Sequence, residues 1–244
     1  MRKPAEALKQ PARDHRIVVA EKKRMLMRTR LIDATMRVYG NSENATPVID
    51  DVISEAKVSR GTFYNYFNSL DEVLIVIGQD LSNQMTTEIL PVYNVLTEPW
   101  QRFSVGFRLF LIRALLDRKW AGFVTRTAAW AEDSLVAQFM SRDLEHGKTQ
   151  GQFNFDDVEV AADFLKGASA HGIQALRIGV NQPGRYIDNS VRMALASLGC
   201  KEELRDKGAD FSKLYLKDWL NGNLKATRPA WAGHANVAVR HDLF

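Results

Sequence analysis

Apolar positions recur along this 244-residue chain mostly at intervals of three and four, with no sustained alternation, a period that predicts helices and no sheet. In residues 20–39, Met25, Leu31, Ile32, Ala34, Thr35 and Val38 approximate a helical stripe, which Gly40-Asn41-Ser42-Glu43-Asn44 ends. Thr46 has the chemistry of an N-cap. Pro47 suits the first helical position, where a missing N–H costs nothing. The second helix then carries Ile49, Val52, Ile53 and Ala56 on one face. A turn at Lys57-Val58 leads to Ser59, which caps a short third helix over 60–66. A fourth opens at Ser69, with Glu72 three residues on as a capping box, and runs to Leu90, where Pro91 ends it. Further helices are predicted near 99–117, 119–130, 133–147, 156–179 and 184–198, separated by Gly147, Gly151 and Pro183-Gly184. Beyond Cys200 the pattern weakens to one short helix over 211–220, with 227–244 loosely attached. Residues 1–20 hold two prolines and no sustained period, which reads as a flexible arm.

Charge sharpens this picture. The first thirty residues carry ten Lys or Arg against three acids, a local charge of +7, whereas the whole chain is only +4. A basic end on a mildly acidic body points to a polyanion held there, or to a solvated tail. The composition, 45% hydrophobic and 25% charged, is that of a soluble globular protein. One cysteine, Cys200, rules out an intramolecular disulfide and fits a reducing compartment. Residues 1–6 lack the apolar core of a signal peptide. The longest apolar region, 103–116, is interrupted by Arg108 and Arg113 and is too short to cross a bilayer. A cytoplasmic protein with no membrane partner is therefore expected.

The informative stretch is 48–67, in which two short helices meet across a tight turn as a helix-turn-helix requires. Successive turns of the third helix put Phe63 and Phe67 on one side, to dock on Ile49, Val52 and Ile53. The opposite side offers Gly61, Thr62 and Asn65, flanked by Tyr64 and Tyr66, with no carboxylate among them. Such a face suits a DNA major groove, with Thr62 and Asn65 at base edges and tyrosine hydroxyls at phosphates. Arg60 reaches a guanine edge or a phosphate. The same tyrosines could also simply cover a core.

Over about 32–77 the chain resembles the TetR family of bacterial regulators. The matching strings are Val48-Ile-Asp-Asp-Val, Ala56-Lys-Val-Ser, Gly61-Thr-Phe-Tyr-Asn-Tyr-Phe and Ser69-Leu-Asp-Glu-Val-Leu. The resemblance implies an all-α protein of about nine helices: a three-helix DNA-binding domain, then a larger helical domain that binds an effector and dimerises. It assigns Tyr64 and Tyr66 to phosphates and Arg60, Thr62 and Asn65 to bases. With Thr46, Lys57, Ser59 and Gly61 these complete the expected DNA-binding set. The chain departs from the family at Lys57, where glycine is frequent, and at Leu70, where lysine is frequent. The implied division is a basic arm at 1–20, a helix-turn-helix domain at 21–68, an effector-binding and dimerisation domain at 69–200 and an extension at 201–244.

Residues 99–180 are rich in aromatics, most of which read as core. The resemblance still implies a pocket among these helices, lined by groups such as Phe107, Phe110, Phe123 and Trp130. Arg113, Arg126, His171 and Gln174 are its candidate polar anchors, and a small, largely apolar effector is its expected occupant. His171 reads equally as a structural histidine. Ala161, Ala162, Leu165, Ala168, Gly172, Ala175 and Leu176, with Ile187, Val191, Ala194, Leu195 and Leu198, form apolar faces on the helices near 156–179 and 184–198. In this family such helices pair with their copies in a homodimer. Double-stranded DNA is the other expected partner, and no cofactor is expected.

Catalysis finds little support in the sequence. The five histidines show no metal-ligand spacing with one another or with Cys200. Gly167-Ala-Ser-Ala-His171 lacks the last glycine of a nucleophile elbow, and Gly147-Lys148 lacks the upstream glycine of a phosphate-binding loop. The function expected is a DNA-binding regulator released from a near-palindromic operator by its effector. A DNA-organising factor of the same fold without an effector is the alternative, with a helical enzyme behind it.

Overall fold

A computed structural model describes residues 15–41, 47–126 and 134–233 of the chain. Every regular element among them is helical. These are α1 (His15–Asn41), α2 (Ile49–Ala56), α3 (Arg60–Tyr64), α4 (Leu70–Tyr93), α5 (Pro99–Leu116), α6 (Arg118–Arg126), α7 (Leu135–Thr149), α8 (Val158–Ile178), α9 (Pro183–Ser197), α10 (Glu202–Asn221) and α11 (Ala230–Gly233). The chain divides into two compact units between Leu70 and Asp71.

The smaller unit is a three-helix cluster. Leu31, Ala34 and Thr35 of α1, Val52 and Ala56 of α2, and Phe63 and Phe67 around α3 are all but fully buried. The Thr35 hydroxyl donates to the Leu31 carbonyl at 2.9 Å, which lets a polar residue sit in that core. The helix starts five residues earlier than its apolar period predicts. Residues 15–20, expected in the flexible arm, are helical, and Met25, expected on the buried stripe, is exposed. The second helix also begins later than predicted. Pro47 precedes it, and the Val48 N–H donates to the Asp51 carboxylate at 2.9 Å. Thr46 lies outside the described residues.

The larger unit is built around α5. Eight consecutive residues, 107–114, are buried, so this helix is covered on every side. That is the condition of a helix apolar all round. Helices α6 to α10 supply the cover. Two arginines are buried with it. Arg108 donates to the Ser212 hydroxyl at 2.8 Å and the Ala209 carbonyl at 3.0 Å of α10, and lies 2.7 Å from Asp188 of α9. Asp188 also meets Lys213 at 2.9 Å. Arg113 donates to Glu88 of α4 at 3.2 Å, and its guanidinium lies between the rings of Trp120 and Trp231.

Helix α4 does not stop at Pro91. It continues to Tyr93, and the Asn94 N–H still donates to the Leu90 carbonyl at 2.9 Å. So close to the end of a helix, proline removes a single backbone bond and the helix survives it. The short helix expected over 211–220 is instead twenty residues long. It packs on α5 and α9, and Trp219, Leu216 and Leu220 are fully buried. Its many charged residues hid the apolar face that they flank. Trp231 of α11, in the region expected to be loosely attached, stacks edge-on against Trp219 and donates to Glu88 at 2.7 Å.

Because Trp219 is a core residue of the larger unit, Trp219→Ala should destabilise the protein by about 3–5 kcal/mol in urea unfolding. A change under 1 kcal/mol would mean that α10 is an appendage.

Candidate functional site

The turn between α2 and α3 is held by backbone alone. The Lys57 N–H donates to Ser54 O at 3.1 Å and the Val58 N–H to Ile53 O at 3.0 Å, the paired bonds of a Schellman ending. That geometry places Lys57 at φ 52° and ψ 52°, and it is the one non-glycine residue with positive φ among the described residues. Lysine gains nothing from this conformation, and its side chain is exposed. Ser59 caps α3 by accepting from the Thr62 N–H at 3.1 Å, and its hydroxyl shares a hydrogen bond with that of Thr62 at 2.9 Å.

Phe63 and Phe67 anchor α3, with ring centroids 6.1 Å apart. Their docking surface is Val52 and Ala56 more than Ile49 and Ile53, which are only half-buried. The outward face carries Gly61, Tyr64 and Asn65 exposed, with Thr62 and Tyr66 partly so. A Cβ at Gly61 would meet nothing closer than Ser59 Oγ at 3.8 Å. The unit's own packing therefore does not demand glycine there. Arg60 leans back on Asp50 at 3.2 Å, so a carboxylate does border this face. Both groups are well exposed, and such a pair contributes about 0–1 kcal/mol. A phosphate can replace it.

In the larger unit a cavity of about 60 Å³ opens between α4, α5 and α7, with Ser169 of α8 in its wall. Its lining is mainly aromatic and aliphatic. Phe107 and Phe110 belong to it, as do Phe103 and Phe139. Gly106 sits where a Cβ would come within 3.3 Å of the Tyr93 ring.

The polar end of the cavity is a cluster that the sequence did not reveal. Tyr93 of α4 donates its hydroxyl to Asp143 of α7, and Arg102 of α5 donates Nε to the other carboxylate oxygen at 2.8 Å. The Arg102 guanidinium lies 4.1 Å from the Tyr93 ring centre, and its Nη1 donates to the Leu96 carbonyl at 3.2 Å. Burial, and then the charge of Asp143, holds the Tyr93 phenol well above its ordinary pKa, so it remains a donor. These three residues stand 9 and 41 positions apart in sequence, each with an ordinary local reading.

The anticipated polar anchors lie elsewhere. Arg113 is taken up by Glu88 and the two tryptophans, His171 is exposed on α8, and Gln174 accepts from Arg177 at 3.0 Å. Phe123 is buried but is not part of the cavity wall. The Arg126 side chain and Trp130 lie outside the described residues. Cys200 is buried, and burial pushes its thiol up to about 11, which makes it an unreactive core group.

No family model matches the sequence, and no curated protein matches it. Solved structures do match in shape. RolR in complex with resorcinol superposes with a TM-score of 0.62 at 23% identity, covering 78% of this chain and 95% of that one. A TetR-family transcription regulator from Marinobacter aquaeolei VT8 gives 0.52 at 15% identity over 73% and 98% of the two chains. A TetR-family regulatory protein from Rhodococcus RHA1 gives 0.52 at 16% identity over 72% and 98%. The fold is that of the TetR-family regulators. At these identities the likeness is one of architecture: a helix-turn-helix unit followed by a larger helical unit.

Lys57 departs from the glycine that this TetR-type turn favours. Replacing Lys57 with Gly should relieve the left-handed strain and stabilise the smaller unit by about 0.5–1 kcal/mol in thermal unfolding. If stability falls instead, the lysine stem contributes packing that outweighs the backbone cost.

Proposed function

We propose that this chain is a sequence-specific DNA-binding transcriptional regulator of the TetR family. It works in the cytoplasm as a homodimeric repressor, released from a near-palindromic operator by a small, largely apolar effector. The observation that carries this reading is the outward face of α3. Gly61, Thr62, Tyr64 and Asn65 are presented there on a capped helix whose own packing does not require them. Asn65 and Thr62 read base edges, while Tyr64, Tyr66, Lys57 and Ser59 meet phosphates. Arg60 exchanges Asp50 for DNA. The basic first turns of α1, with Lys22, Lys23 and Arg24 exposed, add affinity that does not depend on sequence.

The dimer face differs from the one first expected. Ile187, Val191, Ala194, Leu195 and Leu198 lie in the monomer's own core, as do Leu165 and Leu176. Exposed instead is a stripe on α8. Val160 (66% exposed), Phe164 (61%) and Ile178 (72%) fall on one line with Gly167 and His171, at spacings of four and three. Met193 of α9 is 73% exposed. A second copy of the chain that covers this seam would bury large apolar groups otherwise left in water.

The cavity supports an effector of one-ring scale, and a protein of this fold holds resorcinol. Binding there need shift the DNA-competent state by only about 1–3 kcal/mol to change operator occupancy.

Selection from a random duplex library with purified full-length protein tests the reading. An enriched inverted repeat with half-sites about 34–36 Å apart is expected. In Asn65→Ala, discrimination should fall by about 1–3 kcal/mol at one position per half-site, with little loss on random DNA. A folded, dimeric preparation that enriches nothing would rule out sequence-specific regulation.

A further inference from the structure

The proposed effector site is specific enough to name a ligand class, an inference that rests on reading the cavity as the effector site. We propose that the cavity receives a neutral, one-ring phenol whose hydroxyl donates a hydrogen bond to Asp143.

Size sets the first limit. A water needs about 10–15 Å³ of such space and occupies about 30 Å³ of liquid, so 60 Å³ corresponds to roughly four to six waters, or about 120–180 Å³ of molecule. One aromatic ring with one or two small substituents meets that limit. A long fatty acyl chain or a large polycycle exceeds it. The wall then selects the ring. Phe103, Phe107, Phe110 and Phe139 surround the space with aromatic faces and edges, which match another ring in offset or edge-on contact.

The polar end decides the substituent. Each oxygen of a carboxylate offers about two acceptor sites. In Asp143 one oxygen accepts from Tyr93 and the other from Arg102, which leaves acceptor capacity on both. The Tyr93 hydroxyl is given to Asp143, and Arg102 gives Nε to Asp143 and Nη1 to the Leu96 carbonyl, which leaves Nη2 without a partner among the described residues. The cluster thus presents a charge-balanced carboxylate with room for one more donor, and a ligand hydroxyl supplies it. Ketones and ethers donate nothing. A benzoate would bring a second anion against Asp143, where the one cation of the cluster is already balanced by Asp143. A phenol, with a pKa near 10, is neutral at pH 7 and donates a short bond to a carboxylate.

Calorimetric titration of the full-length protein with phenol, anisole, toluene and benzoate tests this. Phenol should bind at least tenfold tighter than anisole or toluene, and benzoate should show no heat of binding. In Asp143→Asn the preference for phenol over toluene should shrink to under threefold. Should that variant fail to fold, Phe107→Trp, which fills the space and leaves the polar cluster intact, should abolish binding of every compound. Equal affinity for phenol and toluene in the wild-type protein overturns hydroxyl recognition, and absence of binding by all four overturns the site. Operator release, measured in parallel by fluorescence anisotropy, separates the two readings. Phenol that binds without releasing DNA sinks the effector role and supports the site. Release by benzoate without phenol binding sinks the site and leaves the effector role standing.

Discussion

The larger unit depends on burying α5 on all sides together with two arginines. An apolar helix needs only cover, and many arrangements can supply that. A helix that carries Arg108 and Arg113 inward also needs carboxylates delivered to two fixed points. An isolated charge in such surroundings would cost several kcal/mol even after relaxation. Asp188 answers the first from α9, and Ser212 and a carbonyl of α10 accept from the same guanidinium. Glu88 answers the second from α4, with Trp120 and Trp231 on the faces of the guanidinium. Burial lowers the pKa of both arginines, but these partners oppose the shift and the groups stay charged. The placing of α4 and α9 against α5 is thus fixed by charge as well as by volume.

That requirement explains what could be read from the sequence and what could not. In the smaller unit every decisive signal is local. Ser59 caps three residues ahead, Phe63 and Phe67 are one turn apart, and the turn at Lys57 is bounded by the helices it joins. Such signals survive in a single sequence, so the three-helix unit and its outward face were legible there. The second helix start was misplaced because Asp51, reaching back to the Val48 N–H, acted as the cap from inside the helix.

In the larger unit the decisive pairs are distant. Arg108 meets Ser212 across 104 positions, and Trp231 meets Glu88 across 143. Periodicity reports which face of a helix is apolar but not which partner covers it. This is why α9 was expected to present to a second copy a face that its own chain buries. It is also why α10 looked marginal. Its apolar residues are diluted by charges that make exposed or bridging pairs, such as Lys213 with Asp188. The polar end of the cavity had no sequence signature at all, because Tyr93, Arg102 and Asp143 become a site only where three helices meet.

Helix α4 occupies a special position in this scheme. It follows directly on the smaller unit in the chain, and its apolar residues Met85, Ile89 and Val92 join the core. Its polar ties include Asn83 to the Leu135 N–H, Glu88 to Arg113 and Trp231, the Val92 carbonyl to Tyr215, and Tyr93 to Asp143. The last of these borders the cavity. A ligand hydroxyl on Asp143, as proposed, would join the carboxylate that ties α4 to α7 and leave the covered core of α5 untouched. A hydrogen bond to a charged group contributes about 1.5–3 kcal/mol. That is the scale of coupling between sites that allostery requires, so the tie between α4 and α7 at this one carboxylate is of the size that the proposed coupling needs.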